Sequence, residues 1–166
     1  GIAKALSVQP TLVVADEAVS ALDASVQSQI LNLFKDLQER YNLTYIFVSH
    51  DLGVVKYMSH RIAVMYLGEI VELAATEDLY AHPLNPYTRA LLSAIPSIQR
   101  GGRERIRLEG EPPDPANPPP GCKFHPRCAI AQKVCSREAP QLKEWLPGRY
   151  VACHFALDSD STARGR

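Results

Sequence analysis

Two short runs place acidic, hydroxyl and imidazole groups where phosphate chemistry could use them. Leu12-Val-Val-Ala-Asp-Glu17 is an apolar run that ends in two adjacent carboxylates. Such a run reads as a buried strand, and the C-terminal tip of a strand is where a parallel α/β sheet presents its ligands. Asp16 suits Mg²⁺, a hard cation that takes oxygen donors. Glu17 suits the polarising of an attacking water. Ser20-Ala-Leu-Asp23 follows at once, and Ile46-Phe-Val-Ser-His-Asp51 repeats the arrangement with His50 at its tip. An isolated Asp-Glu pair is most often a solvated strand end. The added Ser20, Asp23 and His50 turn the reading toward hydrolysis of a metal-bound nucleotide phosphate. No glycine-rich phosphate-binding loop accompanies them in this sequence.

The elements that must position these groups follow from the pattern. Ile2–Leu6 reads as a helix end, with Pro10 in the turn that leaves it. Residues 11–15 form the first strand. Asp23 is a good N-cap for a helix carrying Val26, Ile30, Leu33, Phe34, Leu37 and Tyr41 at helical spacing, and Asn42 is its stop signal. Thr44–Val48 is a β-branched and aromatic strand, and residues 51–58 are a short helix. Arg61–Tyr66 and Glu69–Leu73 are two strands joined through Leu67-Gly68. The alternation predicts an α/β sheet with right-handed crossovers.

The composition then changes. Residues 76–95 read as helix interrupted at His82-Pro83 and Asn85-Pro86, and residues 100–108 carry five arginine and glutamate residues. Six prolines within residues 110–121 exclude regular helix or central strand and predict an extended linker. Residues 122–155 hold all four cysteines, and the polar stretch from Leu157 to Arg166 is expected to be a disordered tail. With 166 residues, of which 46% are hydrophobic, the chain can bury a sizeable core. Its net charge of zero gives no electrostatic footprint for nucleic acid. No apolar stretch reaches the ~20 residues a membrane span needs. Gly1 stands where an initiator methionine would, and Ile2–Leu6 reads as a helix already under way. The sequence is therefore expected to be the C-terminal part of a longer polypeptide.

On these residues the chain resembles the ATP-binding subunits of ABC transporters. Leu12–Glu17 is similar to their Walker B strand, Ser20–Asp23 to the D-loop and His50 to the switch histidine. Ala18 departs from the pattern, because a proline usually follows the catalytic glutamate. His82-Pro-Leu-Asn-Pro-Tyr-Thr-Arg-Ala-Leu-Leu-Ser-Ala-Ile-Pro96 and Gly121-Cys-Lys-Phe-His-Pro-Arg-Cys128 resemble the C-terminal segments of the oligopeptide/dipeptide (or nickel) importers. The resemblance implies the C-terminal half of a P-loop (RecA-like) ATPase domain over residues 1–78. A helical connector would occupy 79–100 and a small irregular cysteine-containing unit 101–155, with residues 156–166 as the tail. It implies ATP and Mg²⁺ as cofactors, with Glu17 and His50 catalytic, Asp16 facing the metal, and Ser20 and Asp23 in the D-loop. It also implies a second ATPase subunit, identical or paralogous, and membrane-spanning permease subunits as partners. A substrate-binding protein would act indirectly, and the subunit would lie peripherally on the cytoplasmic face of the membrane. The Walker A, glutamine-loop and signature motifs of the family fall outside this sequence, so the chain alone is expected to be inactive. Competing readings are a related ATPase acting on DNA or the ribosome, and a metal-binding fragment without enzymatic activity.

Cys122, Cys128, Cys135 and Cys153 are separated by five, six and seventeen residues. Four thiolates suit either tetrahedral zinc or a 4Fe–4S cluster. Structural zinc sites use tighter pairs, so the spacing leans toward the cluster, as does its presence at this motif in some proteins that the chain resembles. Zinc and an empty thiol site remain the alternatives. His125 and His154 flank the cysteines and are expected to support the ligands or face solvent, with replacement of one cysteine ligand as the alternative. A unit of about 35 residues is too small to rest on its core alone, so the expected role of the centre is structural.

Overall fold

The structure, a computed structural model, describes residues 1–95 and 105–156. Part of the charged stretch from residue 100 and all of the tail from Leu157 lie outside them. Backbone proximity divides the chain into two units, Gly1–Ser59 and the residues from His60 onward, whereas the sequence reading drew its boundary at residue 78.

The first unit contains α1 (Ile2–Leu6), β1 (Leu12–Asp16), α2 (Ala24–Tyr41), β2 (Thr44–Val48) and α3 (Leu52–Met58). β1 and β2 pair in parallel, from Leu12 opposite Thr44 to Asp16 opposite Val48. The Asp23 carboxylate accepts from the Ser25 and Val26 amides and caps α2, and Asn42 closes that helix in the left-handed conformation (φ 50°). Asp51 caps α3 in the same way through Gly53 and Val54. Ala15, Val19, Leu31, Phe34, Val54 and Met58 form the core, with Tyr45 and Phe47 against it. Phe34 meets both rings edge-on, at 5.4 Å and 6.0 Å between centroids. The helical stripe expected on α2 is only half used. Leu31 and Phe34 are buried, whereas Val26, Leu33 and Tyr41 are exposed. The two strands and α3 pack against α2, α3 also through the Tyr57 hydroxyl, which donates to Asn32 Oδ1 at 2.6 Å.

The second unit contains β3 (Arg61–Tyr66), β4 (Glu69–Ala75), α4 (Thr76–Ala81), α5 (Pro86–Ser93), β5 (Lys143–Leu146) and β6 (Arg149–Val151). β3 and β4 form a hairpin whose two-residue turn, Leu67-Gly68, has both φ values positive (46° and 78°). That geometry matches the twist of the flanking strands. These strands do not extend the parallel pair, as a single α/β sheet would require. They belong to a separate antiparallel sheet of order β3-β4-β6-β5. Its other two strands come from the segment expected to be irregular. They are four and three residues long, too short to show alternation.

The proline-interrupted segment between α4 and α5 is pinned by a buried carboxylate. Glu72, fully buried on β4, accepts from the Leu84 amide at 2.8 Å and the Asn85 amide at 3.0 Å. Arg149 Nη2 lies 3.7 Å from the same carboxylate and donates to the His82 carbonyl. Asn85 caps α5, with Pro86 at its first turn, where a missing N–H costs nothing. No helix among the described residues is long and apolar enough to cross a membrane.

Candidate functional site

The parallel register sets Asp16 and Val48 side by side, so the residues that follow each strand emerge together. The Glu17 amide continues the ladder to the Val48 carbonyl at 2.9 Å. The backbone then turns sharply, with Glu17 in the left-handed region at φ 47°, a conformation that non-glycine residues avoid. Ser20 holds this turn. Its amide and its hydroxyl both donate to the Glu17 carbonyl, at 3.2 Å and 2.9 Å. Val19 anchors the turn from below, in the core.

The result is a contact between groups 33 residues apart. His50 Nδ1 lies 2.8 Å from Glu17 Oε1. Both side chains are exposed, at 78% for His50 and 40% for Glu17. The hydrogen bond from His50 holds the Glu17 carboxyl below its ordinary value, and the same contact raises the His50 imidazole. The pair therefore favours carboxylate and imidazolium. Asp16 stands at the exposed end of β1. The Asp23 carboxylate is engaged at the helix cap, where Ser25 Oγ also donates to it at 2.7 Å. That hydrogen bond is the main cause of its lowered pKa. Of the five residues singled out in sequence, Glu17, Ser20 and His50 are directly linked.

In the second unit the four cysteines share one pocket, together with Tyr66 and Phe124. All four are free thiols. Burial pushes the Cys122 and Cys128 thiols up, and takes Cys153 to about 11. Gly121 (φ 70°) permits the loop to close, since a Cβ there would sit 2.4 Å from the Cys135 carbonyl oxygen. The Cys122 amide donates to that same oxygen at 2.8 Å. His125 Nδ1 donates to the Cys122 carbonyl at 2.9 Å and His154 Nε2 to the Glu138 carbonyl at 3.0 Å. Both rings thus support backbone as the cysteines are placed. Among the described residues, no group of three or more His, Cys, Asp or Glu side chains is arranged to hold a metal ion.

Comparison with known proteins bears on both regions. Residues 71–135 match the oligopeptide/dipeptide transporter C-terminal region. The oligopeptide transport ATP-binding protein AppF of Bacillus subtilis is 54% identical over 158 residues, which cover 93% of this chain and 48% of AppF. A putative peptide import ATP-binding protein of Brucella ovis is 56% identical over 92% of this chain and 49% of its own length. The putative oligopeptide transport ATP-binding protein YkfD of Bacillus subtilis is 50% identical over the whole chain and 51% of its own length. Over nearly all of its length the chain is similar to ATP-binding proteins of peptide ABC transporters. It spans about half the length of the curated relatives it matches.

Three further residues take roles in the structure that the pattern did not assign to them. Asp51 was grouped with His50, but its carboxylate caps α3. Glu72 reads as one more polar residue in an alternating strand, and its burial depends on Leu84, Asn85 and Arg149. Tyr66 reads as a core aromatic, yet its hydroxyl is buried without a hydrogen-bond partner. Lys123 also links the cysteine loop to the hairpin. Lys123 Nζ donates to the Leu67 carbonyl at 3.0 Å and faces Glu69 at 3.0 Å.

Proposed function

We propose that this chain carries the hydrolytic part of an energy-coupling ATPase subunit of a peptide importer. The observation that carries the reading is the 2.8 Å contact between His50 and Glu17 at the tip of two paired parallel strands. The likeness to AppF, YkfD and the Brucella ovis protein, and their printed functions, support it. Glu17 orients the attacking water and accepts its proton. His50 holds the Glu17 carboxylate and faces the γ-phosphate. Asp16 is the residue that would hold Mg²⁺, whose contribution is to neutralise charge on the transferring phosphate. Its carboxylate at an exposed strand tip fits a hydrated, oxygen-liganded ion. Ser20 and Asp23 shape the turn that would face a second ATPase subunit, identical or paralogous. Closure of two such subunits would move membrane-spanning permease subunits, and peptides would be chosen by a separate binding protein. The subunit would lie peripherally on the cytoplasmic face of the membrane.

In a polypeptide of the relatives' full length, Glu17→Gln retains ATP binding and lowers turnover by roughly 10²–10⁴, as loss of a general base does. Near-normal turnover removes Glu17 from this role. The 166-residue chain alone binds ATP weakly and does not hydrolyse it, and saturable micromolar binding by the purified chain would overturn that part.

We further propose that Cys122, Cys128, Cys135 and Cys153 hold a 4Fe–4S cluster with a structural role. Four uncrosslinked thiols on one pocket wall are a suitable donor set, and the orphaned Tyr66 hydroxyl beside them is a donor awaiting an acceptor. Zinc suits the spacing less well. Structural zinc sites commonly use cysteine pairs two to four residues apart, and these four are separated by five, six and seventeen residues. A cluster would crosslink a cysteine loop that has little apolar core. Iron and sulfide in the anaerobically purified protein are the expected result; stoichiometric zinc without iron refutes the cluster.

A further inference from the structure

Tyr66 ends β3 and is buried, at 8% exposure. Its ring is fixed by two neighbours. Phe124 meets it edge-on at 5.4 Å, and Tyr87 packs on it at 4.7 Å. The Lys123 contacts with Leu67 and Glu69 tie the cysteine loop to the hairpin just beyond it. Tyr66 therefore has a set position on the wall of the pocket that all four cysteines line. Its hydroxyl nevertheless has no hydrogen-bond partner. A buried hydroxyl without a partner is unfavourable, and phenylalanine would fill the same space without that cost.

The other polar groups on the wall are engaged. Asn85 accepts from the Tyr87 amide and donates to the Val71 and Ala152 carbonyls. His125 and His154 donate to backbone carbonyls. Lys123 is held by Leu67 and Glu69. Thr88 Oγ1 and Arg149 Nε are also without partners, but neither residue lines this pocket. Tyr66 brings a buried hydroxyl without a partner to a pocket whose characteristic acceptors are sulfurs.

We propose that the Tyr66 hydroxyl donates a hydrogen bond to a sulfur of the centre held by Cys122, Cys128, Cys135 and Cys153. Tyr66 is then a positioning residue that tunes this centre. The proposal rests on the reading of the four cysteines as a metal-binding set. A donor at a ligand sulfur favours the more negative, reduced state and so raises the reduction potential. It also strengthens metal retention, as supporting hydrogen bonds around metal ligands do. The hydroxyl is thus unfavourable in the metal-free protein and favourable in the loaded one.

Tyr66→Phe keeps the ring and removes only the oxygen. In the metal-free protein its thermal midpoint equals or exceeds that of the wild type. After anaerobic reconstitution with ferrous iron and sulfide, the variant has a more negative midpoint potential. It also loses iron to a chelator roughly 10–100-fold faster. Full iron loading of both proteins with the same potential and release rate overturns the Tyr66 role and leaves the cluster reading standing. Uptake of zinc but not iron overturns the cluster reading alone, and the zinc-loaded pair then decides on Tyr66. Faster zinc release from Tyr66→Phe supports it, and equal release overturns it. Binding of neither metal overturns both, and a lowered midpoint in the metal-free variant shows a structural partner and also overturns the proposal.

Discussion

The contact between Glu17 and His50 sets opposite shifts on two exposed groups, and its pH dependence follows from their signs. His50 is raised above 6.5 by Glu17, so its contribution is complete below that value and disappears as pH rises through the raised one. Glu17 is lowered from 4.5 by His50, so its contribution is complete above that value and disappears as pH falls through the lowered one. The doubly charged pair is therefore fully formed between about pH 4.5 and 6.5 and weakens on either side. With both side chains exposed, its effect is on geometry far more than on stability. The imidazole of His50, followed by NMR, titrates above 6.5, and Glu17→Gln moves its midpoint down toward 6.5. An unchanged midpoint would mean that ring and carboxylate do not meet in solution. The sequence placed both residues at the ends of strand-like runs, and parallel strands bring their tips together; the contact itself is a finding of the structure. Tyr66 could not be read that way. The last aromatic of an alternating strand looks like any other core residue, and its orphaned hydroxyl becomes visible only against Phe124 and the cysteines.

At the scale of elements, local chemistry placed the helices and strands of the first unit well. Asp23, Asn42 and Asp51 end or begin helices where their side chains and backbone preferences require. The same logic failed for β5 and β6, because three- and four-residue strands carry no pattern of their own. They exist through pairing with β4, which is remote in sequence. Glu72 is the hinge of that arrangement. Its carboxylate joins β4 to the amides before α5 and to Arg149 on β6. Glu72→Ala leaves a buried guanidinium without its counter-ion and two amides without their acceptor. The expected loss is about 3–5 kcal/mol, measured as a lower urea midpoint. Glu72→Gln keeps an acceptor oxygen and loses less. Equal stability of Glu72→Ala and wild type would show that water reaches Arg149 and replaces the carboxylate.

For the whole molecule, the sheet of the first unit is covered on one face only. Parallel strands are ordinarily buried on both faces, and two strands alone make a marginal sheet. Here the second face carries Val14 at 63% exposure, Ile46 at 51%, Leu12 at 48% and Val48 at 47%. These four residues alternate with the buried Ala15 and the core-facing Tyr45 and Phe47, so the bare patch is a direct product of strand periodicity. Both strands are also sheet edges, with unpaired amides and carbonyls along their outer sides. A contiguous apolar face beside open edges is a surface that associates. Purified as this 166-residue chain, the protein is expected to self-associate with rising concentration, visible as growth of the weight-average mass in sedimentation velocity. Threonine at Val14 and Ile46 preserves β-branching while placing a hydroxyl on the exposed side. The double substitution should reduce association and leave the far-ultraviolet circular dichroism unchanged. Association that persists undiminished in that variant would move the sticky surface elsewhere, to the exposed Val26, Leu33 and Tyr41 of α2.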